Sequence, residues 1–330
     1  MKNIGRLVLL SILIFGAARA RAAASELTVA ADGSGQFKTV QAAIDAVPQT
    51  ASADQPCVIR VKAGVYRELV YVQREKRFVR LVGESRENTV ISFDLYAGLA
   101  GPDGRPIGTF HTPTVQIDAD NFTAENITFE NTNEARGGAS DQALALLVTG
   151  DRVVFRHCGI LGWHHTMLVD RGRHYFEGCR ITGNMNFIFG GATDYFADCE
   201  LHCTGDGCIT DASTPADQPY GFVFNHCRIT GEYAGIRTWL GRPWRAEANV
   251  VFLRTEMSGV VRPEGWNNAD QPEREKTARF AEFGNSGPGA NVTARVPWTR
   301  PLTAPEAKAL TVVQVLGGTD GWDPREDTLP

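Results

Sequence analysis

Four segments of this chain share one pattern. Phe155-Arg156-His157-Cys158, Phe176-Glu177-Gly178-Cys179, Phe196-Ala197-Asp198-Cys199 and Phe224-Asn225-His226-Cys227 all read Phe-x-x-Cys, with phenylalanines spaced 21, 20 and 28 residues apart. Three of them continue alike, as Cys158-Gly159-Ile160-Leu161-Gly162, Cys179-Arg180-Ile181-Thr182-Gly183 and Cys227-Arg228-Ile229-Thr230-Gly231. The longest step holds Asp211 to Pro219, a polar, proline-bearing stretch that reads as a loop. A period near twenty residues implies a solenoid. Between the repeats lie short β-forming runs such as Val153-Val154-Phe155, Phe187-Ile188-Phe189 and Phe222-Val223-Phe224, too short for helices. The spaced leucines of a leucine-rich repeat are missing, and a propeller blade needs about twice the period. The chain is therefore expected to be an all-β parallel β-helix, with coils stacked about 4.8 Å apart and the Phe and Cys ladders filling its core.

An open β-helix exposes strand edges and needs caps. Thr39 is placed to N-cap a short helix whose apolar face is Val40, Ala43, Ile44 and Val47, and Thr303 with Glu306 forms a capping box near the other end. The first 24 residues have the layout of a secretory signal peptide. Lys2 and Arg6 precede the apolar run Leu7 to Ala18, which is too short to span a bilayer, and Ala22-Ala23-Ala24 offers a cleavage site before Ser25. Residues 25–330 hold no Pro/Gly/Ser-rich linker and are expected to form one domain in a soluble protein secreted to the extracellular or periplasmic side. The net charge of −5 becomes more acidic once Lys2, Arg6, Arg19 and Arg21 are removed, which disfavours nucleic acid and anionic membranes as partners. Seven cysteines leave at least one thiol unpaired within a chain, and buried thiols or one local disulfide both fit. The spacing of Cys199, His202, Cys203 and Cys208 matches no recognised zinc pattern.

Several blocks carry a family resemblance. Asp32-Gly33-Ser34-Gly35-Gln36-Phe37, Gly64-Val65-Tyr66-Arg67-Glu68, Asn126-Ile127-Thr128-Phe129-Glu130-Asn131, Gln142-Ala143-Leu144-Ala145-Leu146, Leu240-Gly241-Arg242-Pro243-Trp244 and Pro263-Glu264-Gly265-Trp266 stand in the order found in pectin methylesterases. The resemblance implies a right-handed parallel β-helix with short capping helices. It also implies action on methylesterified homogalacturonan, with no metal or organic cofactor. In that family one aspartate attacks the carboxymethyl carbon and a second serves as acid and then base. Glutamines stabilise the oxyanion, and an arginine holds the attacking carboxylate.

By this resemblance the oxyanion glutamine maps to Gln142, the second glutamine to His164, the acid to His165, the nucleophile to Asn186 and the arginine to Arg242. Gln142, His164, His165 and Asn186 are one coil apart, so they are expected to converge with Arg242. Trp244 and Trp266 match aromatics that stack on sugar rings, and Phe187 is the adjacent candidate. Both aspartate positions are substituted, and a carboxamide is no nucleophile at neutral pH. His165 retains a titratable proton near pH 6.5. Arg242 is expected to lack a carboxylate partner. Adjacent strand residues face opposite ways, which disfavours His164 and His165 as a metal pair. Asp170 reads as a turn residue and Asp194 as a surface one. Two functions follow: ester hydrolysis on pectin through water activated by His165, or pectin binding by a catalytically dead relative that releases little or no methanol.

Overall fold

The computed structural model describes residues 25–133 and 141–326, and the expected signal peptide lies outside them. Every strand pairing within its two sheets is parallel. One sheet of 11 strands runs from Ser25–Val29 to Arg300–Pro301, each strand bonded to its counterpart in the next coil. The second, of 13 strands, has two arms joined through the long strands Arg180–Gly190 and Glu200–Ala212, which bend from one arm into the other. This is a parallel β-helix, as the repeat requires. Among the described residues no helix is long and apolar enough to cross a membrane.

The repeat residues stack. Phe155, Phe176, Phe196, Phe224 and Phe252 lie on successive coils with ring centroids 4.4–4.8 Å apart and nearly parallel planes. All five are fully buried. That spacing matches the coil rise, so in-register pairing by itself delivers offset stacking, worth about 0.5–1.5 kcal/mol per pair beyond burial. Cys158, Cys179, Cys199 and Cys227 form the neighbouring ladder. All seven cysteines are buried and free, so the thiol reading holds and the local disulfide does not. Each ladder thiol donates to a carbonyl of the preceding coil, those of Ala124, Phe155, Phe176 and Phe196 respectively, at 3.4–3.5 Å. The residue before each cysteine turns the corner in the left-handed region: His157, Gly178, Asp198 and His226 have φ between 51° and 60°. Polar residues and glycine tolerate that conformation, which explains the variable third letter of Phe-x-x-Cys.

The caps form where the sequence places them. Thr39 Oγ1 accepts from Ala42 N at the start of Val40–Asp45, and Glu68 accepts from Val40 N and Gln41 N. Thr303 and Glu306 close a reciprocal capping box on Ala304–Ala309. That helix and Val312–Leu316 pack Ala307, Val312, Val315 and Leu316 against Tyr175, Tyr195, Val223 and Val251, covering the outer face of the 11-stranded sheet. One loop expectation is corrected: Asp211 and Ala212 are the last residues of a strand, and the turn begins after them.

Phe196 is held between two stacked rings. Phe196→Ala is expected to cost about 3–5 kcal/mol in urea unfolding. Tyr233→Ala, at a side chain 57% exposed, should cost less than about 0.5 kcal/mol. Equal costs at the two positions would contradict the ladder as the stabilising core.

Candidate functional site

The outer face of the 13-stranded sheet carries one in-register row across successive coils. Gln116, Leu147, Leu168, Phe189, Asp211 and Arg242 occupy it. Residues in register on parallel strands point the same way, so these side chains emerge together. Leu147, Leu168 and Phe189 form an apolar patch with Leu144, and half-buried Trp244 packs on it, its ring 5.8 Å from that of Phe189. Arg245 lies over the Trp244 ring, 4.8 Å from its centre. A Cβ at Gly190 would collide with the Val169 carbonyl, and φ there is +129°, so only glycine ends this strand without strain.

Beside the row, His165 and Asn186 hold equivalent places on neighbouring coils. Both are left-handed, with φ of 62° and 50°. His165 N donates to Met185 O, and the preceding residue His164 bridges to Met185. The break in extended geometry cancels strand alternation: the His164 and His165 rings lie 4.5 Å apart, on the same side. The expectation that they face opposite ways is thereby corrected. The His165 ring stands edge-on to Phe189 at 4.5 Å. Gln142 ends the coil before them, since Ala143 N donates to His164 O. Its carboxamide oxygen accepts from the Thr109 hydroxyl.

Two aromatic assignments are overturned. Trp266 is fully buried, stacked on Phe280 at 4.4 Å, and its indole N–H donates to Glu282. It is a core residue and cannot face a sugar. Phe187 is likewise fully buried in the main core, and Phe189, two residues on, faces out instead. Trp244 remains at the surface of the row. Asp194 is not a surface residue but is fully buried, with His174 Nδ1 at 2.6 Å. Asp170 is exposed and 3.8 Å from Arg171.

The electrostatics differ from expectation at two points. Burial first, then the charges of His164 and Arg242, push the His165 pKa down to about 3. Its imidazole is therefore neutral across the physiological range and cannot serve as a general acid there. Arg242 does not lack a carboxylate: its Nη2 donates to Asp211 Oδ2 at 2.9 Å. The Asp211 side chain is only 4% exposed, and burial raises its pKa despite the arginine. The sequence reading missed Asp211 because it assigned the residue to a loop. The available signal was its place one coil beyond Phe189 and one coil before Arg242. Two cavities, of about 510 Å³ beside Trp298 and Leu310 and about 370 Å³ beside Trp322 and Arg80, lie against the 11-stranded sheet and hold none of these residues.

This fold and its outward row define a class: parallel β-helix proteins with an outward side-chain row laid across successive coils. The chain belongs to the pectinesterase family, whose model matches residues 26–319. It is 39% identical to pectinesterase 31 of Arabidopsis thaliana over 284 residues, covering 84% of this chain and 88% of that one. Among solved structures it resembles pectin methylesterase from carrot, with TM-score 0.81 and 33% identity over 89% of this chain and 93% of that one. It also resembles a pectin methylesterase in complex with a hexasaccharide, with TM-score 0.77 and 30% identity over 92% and 98%.

The neutral His165 has a measurable consequence. Its folded pKa lies below the ordinary 6.5, so its contribution to stability is complete above pH 6.5 and is lost as pH falls toward 3. His165→Gln cannot titrate, so its loss of stability from pH 7 to pH 4 should be smaller than that of the unmodified chain, on the order of 3 kcal/mol. Ring NMR signals of His165 should stay constant from pH 8 to 4.5. A titration midpoint near 6.5 would contradict the burial argument.

Proposed function

We propose that the chain is an exported protein that engages methylesterified homogalacturonan across the coils from that of Gln142 to that of Trp244. The observation that carries this reading is the row itself: an apolar patch, a half-buried indole and an arginine share one outer face of a pectinesterase-family β-helix. From the coil of Gln142 to that of Arg242 is four coil steps, roughly 19 Å, the length of several sugar units. A related protein of known structure holds a hexasaccharide. In this reading the ester carbonyl lies at Arg242, a donor suited to an oxyanion. Trp244 offers an apolar ring, a natural platform for the faces of sugars.

The two-aspartate route implied by family resemblance is not available to a chain with His165 and Asn186 at those positions. Asn186 is 2% exposed and carries no charge with which to attack. His165 stays neutral and lacks the acidic imidazolium proton that would protonate a departing methoxide. Binding is thus the part of the family's function that these positions leave intact.

Trp244→Ala should weaken binding of methylesterified oligogalacturonides by about 3- to 30-fold in calorimetry, the equivalent of about 0.5–2 kcal/mol. Arg242→Ala should weaken it as well. Failure of the unmodified chain to bind the polymer, or unchanged affinity in both variants, would refute this assignment of the row.

A further inference from the structure

The Asp211–Arg242 pair is built unlike a structural ion pair. A buried carboxylate and guanidinium frequently form two parallel hydrogen bonds, which engage both carboxylate oxygens. Here one bond joins Arg242 Nη2 to Asp211 Oδ2. Among the described residues, Asp211 Oδ1 and Arg242 Nε are buried without a hydrogen-bond partner, as are Asn186 Oδ1 and His165 Nδ1 nearby. Four orphaned polar atoms in one patch are costly, at about 1–3 kcal/mol each, and such patches mark sites that complete their bonding with a ligand. A singly bonded buried pair contributes little net stability, since desolvation offsets its attraction. Family chemistry needs a carboxylate held by an arginine. This chain has one, displaced from position 186 to the coil between Phe189 and Arg242.

We propose that Asp211 is the general base of ester hydrolysis at this site, an inference that rests on the reading of the row as the place where the methyl ester binds. Arg242 covers Asp211 with a third of its own side chain exposed, so an ester carbonyl that engages the guanidinium also uncovers Oδ1. A water molecule at Oδ1 attacks the ester carbon. As the new C–O bond forms, one water proton passes to Asp211, and the carbonyl π electrons move to the oxygen held by Arg242. The tetrahedral species then collapses: the C–OCH₃ bond breaks, and methoxide takes the proton back from Asp211. Ester and water become acid and methanol, and the carboxylate is restored. Neutral His165 and the Phe189 ring enclose the reacting atoms and strengthen each polar interaction there. No acyl-enzyme forms, so Asn186 has no covalent role.

The test is methanol release from methylesterified homogalacturonan, run beside binding of the same polymer. Asp211→Asn keeps the shape and still accepts from Arg242. It should lose methanol release by at least about 100-fold, the lower end of what general acid–base catalysis supplies, while polymer binding changes less than about threefold. Release by the unmodified chain should fall on the acid side with a midpoint above the ordinary aspartate value of about 3.9. A single turnover in ¹⁸O water should label the galacturonate product and leave the peptide containing Asp211 unlabelled. Binding without methanol release overturns this inference and leaves the binding reading standing. Absence of binding overturns both. Undiminished release by Asp211→Asn, or ¹⁸O in Asp211 itself, overturns the role of base. The isotope and pH arms use the unmodified chain, so they decide the matter even if the variant does not fold.

Discussion

The structure depends on parallel register from coil to coil. A strand pairing spaced about 4.8 Å brings a planar ring to within stacking distance of the ring one coil below, but only with no slip. A one-residue slip would send every buried phenylalanine outward. The Phe155-to-Phe252 stack and the thiol ladder therefore act as a ruler: five rings and four thiols all find partners only in one alignment. Left-handed corners at His157, Gly178, Asp198 and His226 reset each coil at the same phase.

Register is also what assembles the functional face. Once the core rings are aligned, positions one coil apart on the outer surface are side by side, although 20 to 30 residues separate them in the chain. Phe189, Asp211 and Arg242 meet for this reason alone. The two faces of the solenoid then differ in what covers them. The C-terminal helices lie over the 11-stranded sheet and seal its apolar residues, whereas the row on the second sheet keeps Trp244 and Arg242 partly exposed.

Two kinds of burial shape the chemistry of that row. His165 is buried beside a cation, so it loses its proton, whereas Asp211 is buried against the same cation and remains bonded to it. Desolvation disfavours charge on both groups, and Arg242 opposes it only for the carboxylate. Burial thus pushes both groups toward their neutral forms, and Arg242 adds to that push for His165 and works against it for Asp211.

By itself the sequence determined the β-helix, its ladders, both helix caps and the equivalent places of His165 and Asn186 on neighbouring coils, because period and local capping chemistry are written in near-neighbour residues. It could not decide which side of the sheet an aromatic takes at a bend. Phe187 turned inward and Phe189 outward, since the left-handed Asn186 shifts the strand's alternation by a step that no residue pattern announces, and Trp266 turned inward to stack on Phe280. Nor could it find the carboxylate of Arg242. Asp211 sits among loop-forming residues in sequence, and only the pairing of its strand with the strands on either side, a long-range contact, places it under the guanidinium.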